Sequence, residues 1–348
     1  MRTTTVLFVL MLAGCIAQKD VGHNNATDEV DAGDPSVDAG DPSEAGYTLL
    51  TQGPPWAIDV VSDADQVYWV ACNQEANRSS LRRIAKVGGP DTELWLVGKR
   101  IYRLAIDPTH VYAAVYGVNP SSTGGTGDIA RIPVSGGEPE LLVTGLENPY
   151  AIAVDQQHVY FTHQGDGNFQ SISRVAKTGG TVETVLSPLE NPWDLATDEQ
   201  YLYYSEMNAG RMMRVAKNGG TPQELAGGWI GTGTLTMAGD TVYFTACSTG
   251  DCPQMQLRSV PKNGGESALL AIFAGQSEGR IAVGGESVFV ASVLSGTVVS
   301  VPRSGGATQV LVDGRPGPMS VTADADGARA FWVDFPSGEV GRIDLAEQ

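Results

Sequence analysis

The chain has 348 residues, 43 of them Gly and 19 Pro, with 7% aromatic residues, 42% hydrophobic residues and a formal net charge of −18. A balance this acidic, with no basic run, excludes a nucleic-acid binder that tracks phosphates, because counterion release requires clustered Lys and Arg. The apolar fraction excludes disorder of the whole chain, and a single short apolar run excludes a polytopic membrane protein.

Residues 1–14 read as a signal peptide: Arg2 precedes an apolar run over 6–12 that is too short to span a bilayer, and small residues follow. The ending Leu12-Ala13-Gly14-Cys15 resembles the lipobox of bacterial lipoproteins. That resemblance implies acylation of Cys15, which then becomes the first mature residue and anchors the chain in a membrane. Ile16, where Asp would retain a lipoprotein at the inner membrane, implies the outer membrane, on its periplasmic face or at the cell surface. Residues 15–46 form the next segment. From Asp20 to Gly46 it carries eight acidic residues and no Lys or Arg, and it repeats Asp-Ala-Gly-Asp-Pro-Ser at 31–36 and 38–43. Such a segment repels itself and has nothing to bury, so it reads as a flexible tether.

From residue 47 to 348 one unit returns: an apolar alternation, a turn, a Val-Tyr-Phe type strand, a variable loop, an Arg-Val-x-Lys strand and a Gly-Gly turn. Its second strand is marked by Tyr68, Tyr112, Tyr160, Tyr203, Tyr243, Phe289 and Phe331, spaced 40 to 48 residues apart. Period-two alternation with β-branched and aromatic residues predicts strands, and Gly-Gly predicts tight hairpins that need positive φ. The last unit stops after its third strand at 340–345, and residues 47–51 resemble a fourth strand. These features predict an all-β fold, a seven-bladed β-propeller of four-stranded antiparallel blades whose last blade is closed by the amino-terminal strand. Segments such as Asn191-Pro192-Trp193-Asp194-Leu195-Ala196 and Gly338-Glu339-Val340-Gly341-Arg342-Ile343 resemble blades of NHL, SMP-30 and virginiamycin B lyase propellers. The likeness lies in scaffold residues and implies architecture more than activity.

Two groups of residues are expected on the face where inner strands begin. Trp56, Tyr102, Tyr150 and Trp193 precede or open inner strands and could form an aromatic rim that stacks on a peptide, a carbohydrate or another planar ligand, or could cover the blade junctions. His163, Glu206 and Asp334 follow second strands. Related lyases and lactonases place catalytic groups in this region, so a funnel-face hydrolase or lyase is the alternative to a binding or protein-interaction module. The lyase pattern requires a second funnel-face histidine; His110 and His158 fall in turns of the opposite face. The reading therefore favours a non-catalytic module with no cofactor, no metal and no nucleic-acid partner. Cys247 and Cys252 flank Ser-Thr-Gly-Asp and could close a small disulfide, as suits an exported chain, which leaves Cys72 outside the pair. An Arg recurs in the third strands with Lys or Arg three residues on, a regularity that points to a structural role, as charge pairs between blades or as a charged outer face.

Overall fold

A computed structural model describes residues 46–73, 78–117, 127–163, 170–248, 252, 254–274 and 279–345. The expected leader, Cys15 and most of the expected tether lie outside the described residues.

Among the described residues, twenty-eight strands form seven four-stranded antiparallel sheets. Six sheets are consecutive meanders. The seventh combines the last three strands with β1 (Thr48–Gln52), which pairs with β28 (Glu339–Asp344) as the outermost strand. The ring is thereby closed by hydrogen bonds between the two ends of the domain, from Thr48 opposite Arg342 to Gln52 opposite Glu339. The inner strands are β2 (Ala57–Ser62), β6 (Arg100–Ile106), β10 (Pro149–Val154), β14 (Pro192–Thr197), β18 (Gly231–Ala238), β22 (Ile281–Gly284) and β26 (Pro318–Ala323); they define blades 1 to 7. Their first residues lie on what is called here the upper face, together with the connections from second to third strands. The hairpins from first to second strands lie on the lower face.

Each blade has two faces and must cover both, so its side chains pack against those of its neighbours. The marker aromatics at Tyr68, Tyr112, Tyr160, Tyr203, Tyr243, Phe289 and Phe331 are all buried within these interfaces. Gly341 shows how tight they are: a Cβ there would stand 2.4 Å from Trp332 ring atoms, in a core where the ring cannot retreat. Gly341→Ala is expected to destabilise the domain by about 2 kcal/mol through overpacking, read as a lower urea midpoint at unchanged m-value.

The recurring charged residues join neighbouring blades, the first of the two structural roles that their regularity allows. At the lower face an Asp caps the first hairpin and binds the Tyr five residues on. Asp107 accepts from Thr109 N (2.7 Å), His110 N (2.8 Å) and Tyr112 OH (2.8 Å), and Lys177 of the next blade donates to it at 2.7 Å. Asp155 repeats the arrangement with Tyr160 (3.0 Å) and Lys217 (2.6 Å). Burial alone would raise the pKa of Asp155, but the bonds from Lys217 and from the His158 and Gln157 amides outweigh it and hold the carboxyl at about 2. Burial and the Asp155 charge push the Tyr160 phenol up to about 12. The third-strand arginines complete the joint: Arg174, Arg214 and Arg342 each donate to the carbonyl of a lysine in the next blade, Lys217, Lys262 and Lys86 respectively.

Candidate functional site: the upper face and the axis

Three of the four expected rim aromatics are brought together, but as core. The Tyr102 and Tyr150 ring centroids are 5.4 Å apart, those of Tyr150 and Trp193 are 4.9 Å apart, and Tyr116 stands edge-on to Tyr102 at 5.1 Å. All three rings belong to one buried cluster spanning blades 2 to 4, with residue exposures of 7%, 3% and 8%. Of the two alternatives the sequence leaves open, these rings cover blade junctions. Trp56 is the exception. It is partly buried, stacked at 6.4 Å on Phe335 of blade 7, and packs against the core cluster of blades 1 and 2.

His163, Glu206 and Asp334 end the second strands of blades 3, 4 and 7, and each is engaged where it stands. His163 donates Nδ1–H to the Glu147 carbonyl at 3.0 Å, and burial lowers its pKa below the usual imidazole value. Glu206 receives Arg211 at 2.7 Å and the Glu190 amide at 3.2 Å. Asp334 is fully buried and accepts from Gly317 N (2.9 Å), Ser337 N (3.1 Å) and Ser337 Oγ (2.8 Å), which pins the turn over residues 335–337. The three do not form one hydrogen-bonded set. Among the described residues no group of three or more His, Cys, Asp or Glu is arranged to hold a metal ion. Cys247 and Cys252 are joined as a disulfide, whereas Cys72 is buried beside Ser79.

Sequence reading missed the most charged feature of the interior. Strand register aligns Val60, Leu104, Ile152, Leu195, Leu235, Ile281 and Val321 at one level around the axis. The residues one position earlier are Asp59, Arg103, Ala151, Asp194, Thr234, Arg280 and Ser320, six of the seven polar, within largely apolar strands. In six blades this position falls in a register shift of the inner strand, which explains how polar side chains enter the axis without disturbing the period-two pattern that follows. Asp59 and Asp194 are buried to 0% and 1% exposure. Each binds the inner strand of the following blade: Leu104 N donates to Asp59 at 2.7 Å and Leu235 N to Asp194 at 2.9 Å. The Arg280 guanidinium bridges the two, 3.3 Å from Asp59 and 3.8 Å from Asp194, and also donates to the Leu104 carbonyl at 3.2 Å. One side chain of blade 6 thus connects blades 1, 2 and 4 across the axis.

Below this ring lies a cavity of about 360 Å³ lined by the second halves of all seven inner strands, with Arg280 at its inner end. It opens toward the lower face beside a shallow groove of about 1020 Å³ formed by the hairpins of blades 2 to 4 and by Lys177 and Lys217. The Arg280 ion pairs thus stand at the inner end of this shaft.

No protein-family model matches the sequence, and no curated protein matches it. The structure is similar to a chain of the nidogen/laminin complex, with a TM-score of 0.54 and 15% identity over 74% of this chain and 97% of that one. It is also similar to TolB from Acinetobacter baumannii, with a TM-score of 0.53 and 13% identity over 83% of this chain and 66% of TolB. At these identities the likeness is one of fold: the chain is a seven-bladed β-propeller, similar in architecture to proteins of widely different sequence.

Proposed function

We propose that the chain is an envelope lipoprotein, anchored through Cys15 and held off the membrane by its acidic tether, whose propeller is a ligand-binding or protein-interaction module. The family resemblance to NHL, SMP-30 and virginiamycin B lyase propellers belongs to this reading at the level of scaffold. The observation that carries the binding role is the difference between the two faces. The chain enters the domain at Thr48, on the lower face, because β1 runs upward against β28 from Arg342 to Glu339. The upper face lies opposite this entry point, and there Leu294, 50% exposed, faces solvent.

Two measurements test the reading. Labelled palmitate should enter the wild type and not Cys15→Ala, and the variant should leave the membrane fraction. A photoreactive amino acid at Leu294 should give a discrete adduct in cells, whereas the same group at the exposed lower-face residue Glu199 should not. Membrane retention of Cys15→Ala would remove the anchor, and adducts from Glu199 alone would move the binding surface to the other face.

A further inference from the structure

In every sheet the inner strand pairs on one side only, so its other edge faces the axis. In blade 2 the Asp107 amide is spent on the hairpin, bonding to His110 O at 3.0 Å, and the alternation of an antiparallel ladder turns the backbone groups of Leu104 and Ile106 the other way. The bonds of Leu104 agree: its amide donates to Asp59 and its carbonyl accepts from Arg280. Asp63, Asp155, Asp198 and Asp324 make an equivalent hairpin bond in blades 1, 3, 4 and 7. Val60, Ile152, Leu195 and Val321, level with Leu104, therefore also present N–H and C=O to the axis. The shaft below the axial ring is thus walled by backbone donors and acceptors, although most of its side chains are aliphatic.

The inner end of the shaft is polar and electrically balanced. The charges of Asp59, Asp194, Arg103 and Arg280 sum to zero. Asp59 accepts from Leu104 N, from Arg280 and, at 3.0 Å, from Ser320 Oγ, while Asp194 accepts from Leu235 N and Leu195 N, both at 2.9 Å. An incoming cation meets carboxylates already matched by arginine, and an incoming anion meets an arginine already matched by carboxylates. Either would enter a poorly solvated site without a counter-charge. An apolar molecule would strand the backbone groups of the wall. A gap remains between Arg280 Nη2 and Asp194 Oδ1: at 3.8 Å they form an ion pair but not a hydrogen bond, and one hydroxyl can accept from the first while donating to the second.

We infer that the shaft is a binding site for a small neutral polyhydroxyl compound, a monosaccharide or sugar alcohol, with one hydroxyl between Arg280 and Asp194 and others on the backbone edges of the inner strands. Hydroxyls both donate and accept, as this wall requires. The volume of about 360 Å³ stands at the lower end of the range for small-molecule sites, about 300 to 1,000 Å³, and suits one sugar unit better than a chain. Access is from the lower face, where the shaft and the hairpin groove of blades 2 to 4 share Ile106, Val154 and Thr197 in their walls. The site is separate from the upper face, so the inference does not rest on the binding module placed there.

The test follows the backbone amide resonances of the full-length chain, held in a sugar-free detergent, during titration with pentoses, hexoses, their alditols and myo-inositol. Cyclohexanecarboxylate, cyclohexylammonium and benzene serve as anionic, cationic and apolar probes of like size. At least one polyol should shift the amides of Leu104, Leu195 and Val321 saturably, and the three other probes should not. Thr236→Trp, which fills the shaft from the wall of blade 5, should bind that polyol about tenfold more weakly or not at all. Urea titration shows whether this variant is folded, and the shift map of the wild type decides by itself if it is not. Equal polyol affinity in folded Thr236→Trp would overturn the inference. Silence across the whole polyol panel would make the shaft a water-filled support of the ring and overturn it too. Tighter binding of the carboxylate, the amine or benzene would overturn the ligand class. Polyol shifts confined to the upper face around Leu294 would overturn the shaft site while favouring the module on that face.

Discussion

Replacing Arg280 by Leu should be among the most destabilising single changes in the domain, lowering unfolding free energy by about 3 to 5 kcal/mol as read from urea titration. The reason is what it leaves behind. Asp59 and Asp194 are buried, and their carboxylates face the axis with Arg280 as the cation that bridges them. Removing one member of a buried ionic set strands the other charges in a poorly solvated site, which costs far more than the intact pair contributes. The Leu104 and Leu235 amides would still stabilise the two carboxylates, and water in the shaft could reach them, so the lower end of the range is the firmer expectation. A double-mutant cycle separates the contributions: Asp59→Asn should lose much of its own cost in the Arg280→Leu background, because the charge it removes is then unpaired. Additive costs in that cycle would show that Arg280 acts through packing alone.

Asp155→Ala should cost about 2 to 4 kcal/mol and should remove part of the acid sensitivity of the fold. Asp155 gathers the Gln157 and His158 amides, the Tyr160 hydroxyl and the Lys217 ammonium, so its loss leaves a buried phenol and a partly buried cation without their acceptor. Its folded pKa of about 2 lies below the value of 3.8 for an unperturbed Asp. A carboxylate depressed in this way contributes stability that is fully present above pH 4 and is lost as pH falls toward 2. Asp107 is shifted in the same direction, with Lys177, Thr109 and Tyr112 outweighing its burial, so the two joints should fail over the same acid range. At the alkaline end the sign reverses: the Tyr160 phenol, raised to about 12, favours the protonated folded form, and stability should decline as pH climbs above 10. Unfolding free energies of wild type and Asp155→Ala measured from pH 2 to 7 should converge toward acid. Parallel curves would show that the joint is not electrostatic.

The parts of this structure that repeat were legible in the sequence, and the parts that depend on one blade differing from the next were not. The aromatic of each second strand, the Gly-Gly hairpins and the Arg-x-x-Lys spacing recur because every blade must pack and pair in the same way, and the closing strand could be recognised by its likeness to other fourth strands. The axial ring has no such signature. Its members are Asp, Arg, Ala, Asp, Thr, Arg and Ser in blade order, and Asp59 meets Arg280 across 221 positions of sequence. Only the angular arrangement of blades makes them partners. The aromatic rim misleads for a related reason: the irregular register at the start of β6, β10 and β14 directs Tyr102, Tyr150 and Trp193 into blade junctions, while Phe335, in the turn slot that Met207 and Val293 hold in other blades, supplies the ring that stacks on Trp56.

The closing strand also determines how the domain would respond to a pull. Any tension applied to the chain before Thr48 enters through β1, the outermost strand of blade 7, and passes first to its bonds with β28. Drawn downward along the strand, the ladder from Thr48 to Gln52 is loaded in shear and its bonds share the force. Drawn sideways from the rim, it is peeled one bond at a time from the Thr48–Arg342 end. Peeling would open the ring at its seam and load next the bond from Gly53 N to the Gly338 carbonyl. The direction of a load on the chain before Thr48, as much as its size, would then decide whether the upper face keeps its shape.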